Sequence, residues 1–351
     1  MTLYNLYRLN PLKKLYFSTV NKLNIDYLKR KSDIKLLAPY YHLVSNEPVP
    51  YLQHLYQFKN TSQFEHDLDY MLKHFNPITL KEVIDHIKAG TAIKKNSFLI
   101  TLDDGLKQVH EVIAPILLKK GVPAALFIVP TFLDNKFLFY DLKKGLIIDA
   151  LLTKPPSTIV LSQLNSTCHL KQADVQGIVS YVKAINYLNK EKVDELGSIL
   201  EIDFNNFLNK TRPFMTTAQV EDFISKGFDV GAHSMTHPCY NLVPIAQQIT
   251  ETQESVKWVA DTFNLPYKAF AFPHVDTGVS QQFFDAVLTG ESAMRPDVIF
   301  GNRTAMLERS HHIFHRYIGE NPAINAGAMA KAVLSYNTFN KLRQKPYIHR
   351  P

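Results

Sequence analysis

The pattern of apolar and polar positions divides the chain into short buried strands and amphipathic helices. Residues 36–44 (LLAPYYHLV) are an apolar run that reads as a buried strand ending near His42. Ser62 and Glu65 have the spacing of a capping box, and Phe64, Leu68, Met71, Leu72 and Phe75 share one face of the helix it would open. Thr79 with Glu82 repeats the signal for a helix through Leu80, Val83, Ile84 and Ile87 that stops at Gly90. Residues 98–102 (FLITL) are continuously apolar and β-branched, as in a strand covered on both faces, and they run into Asp103-Asp104-Gly105. Pro115 suits the first turn of the next helix, which closes on Lys119, Lys120 and Gly121, and 124–129 is the next strand. Strand, helix and strand at this spacing form a βαβ unit and argue for a parallel sheet.

The alternation stops over 134–213. Val175, Ile178, Val179, Val182, Ile185 and Leu188 trace a helical stripe there, and a second amphipathic stretch covers 191–208. Long structureless loops are uncommon, so 134–213 is read as a helical insertion or cap. The βα pattern resumes with a helix capped by Thr216 and Gln219 and a strand at 228–231 leading to His233. A long helix carrying Ile249, Val256, Val259 and Phe263 follows, then strands at 268–272, 298–300 and 312–318 and a small-residue helix at 323–334. The predicted organisation is a basic segment 1–35, an α/β barrel over 36–133 and 214–320, the insertion 134–213, and a C-terminal helix and tail over 321–351.

Hydrophobic content of 46% with 20% charged residues excludes a largely disordered chain. The formal charge of +7 concentrates at Lys13-Lys14, Lys29-Arg30-Lys31 and Lys35, and again at Lys341, Arg343, Lys345 and Arg350. No groove-reading element accompanies it, which argues against nucleic acid as a partner. A solvated surface with frayed basic termini accounts for the charge; weak attraction to an anionic membrane surface or a lipid-linked, phosphate-bearing sugar is the sharper alternative. Cys168 and Cys239 form no CxxC pair, so nothing demands an oxidising compartment. No leader-like apolar run follows Met1, and no stretch reaches the roughly 18–20 apolar residues of a spanning helix; a cytoplasmic protein is expected.

Three polar clusters fall just beyond predicted strands: Asp103-Asp104-Gly105, His233-Ser-Met-Thr-His237-Pro238 and Pro273-His274. In α/β sheets and barrels ligands bind at that edge, where the βα loops converge. Asp-Asp-Gly alone is a common turn, and a lone H-x-x-x-H more often binds nothing; their joint placement at strand ends is what points to a site. His233 and His237, four residues apart, can reach one metal at about 2.0–2.1 Å, and Asp103 or Asp104 would supply an anionic ligand. Adjacent side chains diverge, so one carboxylate can bind metal while the other faces the attacking water. Two histidines and one carboxylate leave coordination positions open, the mark of a catalytic rather than a structural site.

These motifs resemble those of the polysaccharide deacetylase family, the NodB-homology carbohydrate esterases. TLDDG (101–105) is similar to its T-F-D-D-G motif, HSMTHP (233–238) to H-S-x-x-H-P, FAFPHV (270–275) to F-A-Y-P-Y-G, and YHLV (41–44) to an upstream Y-H-x-V strand. The resemblance implies a distorted, incomplete (β/α) barrel with fewer than eight strands and a metal-dependent hydrolase that removes acetyl groups from N-acetylated sugars. It implies that Asp104, His233 and His237 bind a divalent metal, zinc by expectation, and that Asp103 is the general base, with a backbone N–H near His274 completing the oxyanion site. Many members carry a base-orienting Arg in the third motif, where this chain has Ala271; Arg316 is the candidate to supply that charge. The late-motif histidine that protonates the leaving amine has no clean match. His311, His312 and His315 are candidates by position, and His274 and His42 by proximity; Pro273, His274 and His42 are also candidate substrate contacts. The absent leader favours an intracellular precursor, whether oligosaccharide, lipid-linked or nucleotide-linked sugar, and an insertion roofing the site would favour a small substrate. A deformylase of a lipid-linked amino sugar and a non-catalytic carbohydrate-binding relative are the alternatives.

Overall fold

The apolar runs become the strands of one parallel sheet. In the computed structural model, which describes residues 11–345 and 347–351 and side chains from residue 16 on, the strands are numbered along the chain. They are β1 (Leu36–Leu37), β2 (Pro39–Tyr41), β3 (Asn76–Pro77), β4 (Ser97–Phe98), β5 (Ile100–Asp104) and β6 (Ala124–Ile128). After a helical segment come β7 (Asp229–Ala232), β8 (Ala269–Ala271), β9 (Val298–Gly301), β10 (Ile313–His315) and β11 (Tyr317–Ile318). Eight of them form a sheet in the order β10-β9-β8-β7-β6-β5-β2-β11, every pair parallel. β1, β4 and β3 make a small separate sheet.

The two edge strands of the large sheet are consecutive in the chain, with only Arg316 between them. β10 pairs with β9 and β11 with β2, while the Arg316 N–H donates to the Gly301 carbonyl at 2.8 Å and the Tyr317 N–H to Ala38 at 3.1 Å. The sheet therefore curls into a nearly closed (β/α) barrel of eight strands, where fewer than eight were expected, because the last expected strand divides into two that serve opposite edges. The single strand expected at 312–318 is broken at Arg316, because the chain steps there from one sheet edge to the other.

Side chains alternate between the barrel interior and the helical layer, as the period of two requires. Ala125, Phe127, Ala269, Ala271 and Phe300 pack together on one side of the strands. Leu102, Leu126, Phe270 and Ile299, on the other side, join the core under the helices. Gly231 is needed inside: a Cβ there would lie 2.6 Å from the Phe127 ring and 2.9 Å from the Ala269 carbonyl.

Two helix starts differ from those read in the sequence. The first helix of the barrel is Thr61–His74, capped by Asn60 with Gln63 rather than by Ser62 with Glu65; Asn60 is as good a cap as serine, and its box with Gln63 starts the helix earlier with the same apolar face inward. The helix after β5 begins well before Pro115. It carries a π-turn over Val109–Ile113, in which the Ala114 N–H bonds to Val109, directly ahead of the proline that lacks an N–H for a regular turn.

Residues 140–211 fold as five helices, Tyr140–Thr153, Thr158–Thr167, Val175–Ala184, Lys192–Ile199 and Phe204–Thr211, around their own apolar cluster. The helical stripe expected to reach Leu188 stops earlier: Leu188 lies in a 3-10 turn and is exposed. Helix Tyr140–Thr153 docks through Gly145 onto the backbone of Tyr51, where a Cβ would be 2.0 Å from the Tyr51 carbonyl oxygen.

Among the described residues, the terminal segments pack against each other and against the body of the protein. Helices Pro11–Asn21 and Ile25–Lys31 lie along the C-terminal helix Ala326–Leu342, with Tyr16 donating to the Ala332 carbonyl at 3.2 Å and Ser32 bonded to Asn337 at 2.9 Å. The Arg350 side chain is buried, pairs with Asp276 at 2.9 Å and with Glu308, and stacks on Phe284. The side chains of Lys13 and Lys14 lie outside those described. Among the described residues no helix is long and apolar enough to cross a membrane.

Candidate active site

The C-terminal ends of the barrel strands bring the three sequence clusters together. β5 ends in Asp103 and Asp104, β7 is followed by His233, and β8 by Phe272, Pro273 and His274. His42 follows β2, Asn302 follows β9, and Glu320 lies two residues past β11. Around this rim Asp104, Ser234, His237 and His274 have positive φ (68°, 66°, 58° and 51°), a conformation costing non-glycine residues on the order of 1–3 kcal/mol each.

Local hydrogen bonds hold these turns. The Ser234 hydroxyl accepts from the His237 N–H at 3.0 Å, and Asn302 donates to the His274 carbonyl at 2.6 Å. Glu251, on the buried face of helix Ile245–Thr262, accepts from the N–H groups of Met235 and Thr236, both at 2.9 Å, and from the Thr236 hydroxyl at 2.6 Å. Glu251 was not singled out from the sequence. Its signal is the run of polar residues, Gln248, Glu251, Thr252 and Ser255, on the helix face that packs inward.

His233 Nδ1 donates to the Ala271 carbonyl at 2.8 Å, which turns Nε2 toward the carboxylates. That Nε2 lies 3.7 Å from Asp103 Oδ2 and 3.7 Å from Asp104 Oδ1, and His237 Nε2 lies 3.2 Å from Asp104 Oδ1. Ligand atoms of Asp104, His233 and His237 all fall within 4.8 Å of one another. Asp104 Oδ1 and His237 Nδ1 are buried without a hydrogen-bond partner. Such orphans are rare in native interiors. Two imidazoles and a carboxylate, converging and under-satisfied, fit a divalent cation with positions left open.

Electrostatics favour the ligand forms. Burial lowers the His233 pKa to about 4, aided by repulsion from His237 and only partly opposed by Asp103, so the ring is neutral at pH 7. Burial works to raise Asp104, but the charge of His237, then those of His42 and His233, hold it well below the ordinary carboxylate range. Burial, reinforced by His237, likewise keeps His274 neutral.

Asp103 is the second carboxylate, 2% exposed. Arg316 Nη1 donates to its Oδ1 at 2.6 Å and lies 3.4 Å from the Thr101 hydroxyl. The guanidinium sits near the rings of Tyr40 and Phe127, 5.0 and 5.4 Å from their centroids, inside the barrel. Burial would raise the Asp103 pKa; Arg316, then His233 and His42, outweigh it and keep the carboxylate ionised. Arg316 thus reaches Asp103 from the strand break, while position 271 contributes only a carbonyl.

His42 Nδ1 is 2.8 Å from Glu320 Oε1, and the His42 N–H donates to Oε2 at 2.8 Å. Burial lowers the His42 pKa, but Glu320, then Asp104 and Asp103, overcome it and raise it to about 10, so the ring is cationic at neutral pH. Glu320 has no sequence signal of its own.

Not every candidate joins the site. Pro273 is buried and does not line the cavity. His312 bonds the Asp297 carbonyl, His315 bonds Glu308, and His311 lines a separate cavity. His315 points away because it alternates with Arg316. The other cluster of metal-ligand type, Asp276, Glu308 and His315, already holds the Arg350 guanidinium.

Asp103, Asp104, His233, His237, His274 and His42 face one cavity of about 440 Å³. Leu52, Leu55 and Tyr56 form one part of its wall, and Phe139–Leu142, Lys144, Lys183, Ile185 and Asn186 another. Phe139 meets the His237 ring edge-on at 4.6 Å, so the helical segment touches a candidate ligand directly.

No family model and no curated protein matches the sequence. Solved structures do match. The deacetylase PplD of Streptococcus pyogenes, in complex with acetate, aligns with a TM-score of 0.50 at 13% identity, over 90% of this chain and 99% of that one. IcaB from Ammonifex degensii aligns with a TM-score of 0.51 at 13% identity, over 86% of this chain and 97% of that one. At these identities the likeness is one of fold, and the fold is that of the NodB-type polysaccharide deacetylases.

Proposed function

We propose that this protein is a metal-dependent hydrolase that removes the acetyl group from an N-acetylated sugar. The observation that carries the reading is the pairing, at the floor of one cavity, of a three-residue cation cluster with a separate buried carboxylate held ionised by arginine. Asp104, His233 and His237 would hold a divalent ion, zinc by expectation. When bound, such an ion lowers the pKa of water and polarises a carbonyl.

The chain's own groups supply the rest. Asp103, 3.7 Å from His233 Nε2, stands beside the cluster to accept a proton from the attacking water, and Arg316 keeps it charged and fixed for that task. N–H groups of the turn at His274 are the expected donors to the oxyanion. His42, cationic beside Glu320, is the best-placed proton donor for the leaving amine, a role that His311, His312 and His315 do not reach. The investment of a buried arginine in keeping Asp103 ionised favours catalysis over sugar binding alone.

The test compares wild type with Asp103→Asn for bound metal and for acetate released from N-acetylglucosamine and its oligomers. Metal retained with acetate release lost is the expected result. Equal activity in the two proteins refutes the assigned base.

A further inference from the structure

Within the cavity, three buried polar atoms outside the cation cluster lack any partner: Tyr56 Oη, His274 Nε2 and Asn302 Oδ1. Leaving such groups unpaired costs about 1–3 kcal/mol each, so a protein that keeps several around one cavity has a polar ligand to satisfy them. The surrounding wall is otherwise apolar or aromatic, with Leu52, Leu55, Phe139, Tyr140 and Leu142. An apolar lining with a few convergent polar groups is the composition of a small-molecule site, and about 440 Å³ lies at the small end of the ~300–1,000 Å³ such sites span.

Charge narrows the ligand further. Lys144, buried in the wall, donates to the Ile185 carbonyl at 2.8 Å and pairs with Asp141 at 2.9 Å. Its charge is matched within the wall, and across the lining the carboxylates of Asp103, Asp104, Asp141 and Glu320 outnumber the cations of Lys144, Lys183 and His42, so a neutral ring is a better occupant than a phosphate. The helical segment that carries Phe139, Lys144 and Ile185 stands directly against His237, where a continuing polymer would need room to pass.

We infer that this cavity takes one neutral N-acylated sugar ring, free or at the end of a chain, with the Tyr56 hydroxyl and His274 Nε2 hydrogen-bonding its polar groups and the helical segment excluding internal residues of a polymer. The inference rests on the deacetylase reading and adds the substrate form to it. Tyr56 and His274 are then binding residues, and Tyr56→Phe removes an atom that has no partner in the folded chain, so folding is unaffected.

The experiment has two arms with the metal-loaded protein. In the first, N-acetylglucosamine and its dimer, tetramer and hexamer are incubated with wild type, and the acetates lost per molecule are counted by mass spectrometry. One acetate per molecule, whatever the length, is expected; hexamers that lose several overturn the inference and leave the deacetylase reading standing. In the second, binding of the monomer to Asp103→Asn and to Asp103→Asn/Tyr56→Phe is measured by calorimetry. The added Tyr56→Phe should weaken binding about tenfold, equivalent to about 1.4 kcal/mol. An unchanged affinity removes Tyr56 from the site. Tight binding with no acetate released by wild type would overturn the deacetylase reading while the binding inference holds, and absence of both overturns the two together.

Discussion

Replacing Arg316 by Met isolates the interaction on which the state of Asp103 depends. Arg316 is fully buried and Asp103 nearly so, and their contact is 2.6 Å. Removing one partner of a buried ion pair costs about 3–5 kcal/mol, because the remaining charge is left in low dielectric. Little of that is the arginine's own hydrogen bonding, since its Nε and Nη2 have no partner and its contact with Thr101 is long at 3.4 Å. The loss should therefore be recovered largely in Arg316→Met/Asp103→Asn, with a coupling above about 2 kcal/mol. The pH dependence should also invert. In wild type the Asp103 pKa is depressed, so its stabilising contribution is present above the unfolded value of about 3.9 and is lost as pH falls through the folded one. Without Arg316 burial dominates and raises the pKa, so the variant gains stability as pH drops from 7 to 5. Urea unfolding followed by the fluorescence of Trp258, the sole tryptophan, measures both effects. Additive losses in the double variant, or a deficit in Arg316→Met equal at pH 5 and pH 7, would show that Asp103 is not left uncompensated.

Three further outcomes are expected. Zinc at a hundred times its Kd should stabilise the protein by about 2.7 kcal/mol in thermal denaturation; chelation should reverse the gain and Asp104→Ala abolish it, whereas a shift retained in that variant places the ion elsewhere. His42 has a folded pKa near 10, above its unfolded value of about 6.5. Its contribution is thus complete below about pH 6.5 and lost as pH rises through 10. Metal-stripped wild type should weaken over that window and His42→Gln should not; parallel curves would count against the pair with Glu320. Gly145→Ala puts a methyl against the Tyr51 carbonyl and should cost about 1–3 kcal/mol by overpacking, read as a lowered Tm; no change would mean that the helix is not held against Tyr51 as described.

The barrel and the floor of its site were legible because both rest on short-range patterns. Apolar runs such as 98–102 and 268–272 announce buried parallel strands, and Asp103-Asp104, His233 and His274 follow them by one or two residues. What escaped is long-range. Nothing near Arg316 signals that the chain changes partners there, since the break is set by where β9 and β2 lie rather than by a local breaker. Glu320 and Glu251 look like ordinary surface acids until the fold places them against His42 and the His233–His237 turn. Arg350 read as a frayed basic end because its partners, Asp276 and Glu308, are distant in sequence. Helix Tyr140–Thr153 was missed for another reason: it is apolar on most sides, buried on faces that carry Leu142, Gly145, Ile148 and Leu151 alike, so no polar stripe outlines it.

The broken strand ties two events that need not be linked. The residue at which the sheet closes on itself is the residue that neutralises Asp103, so the ring and the charge state of its carboxylate are completed in one act. A chain halted before Ile313 would still carry Asp104, His233 and His237, together with Asp103, yet would lack the cation that keeps Asp103 ionised. During folding, recovery of a working site can then be no faster than closure of the ring. Any strain, truncation or partner that pulls β10 from β9 or β11 from β2 would act on Arg316, and so on the chemistry, before the rest of the barrel comes apart.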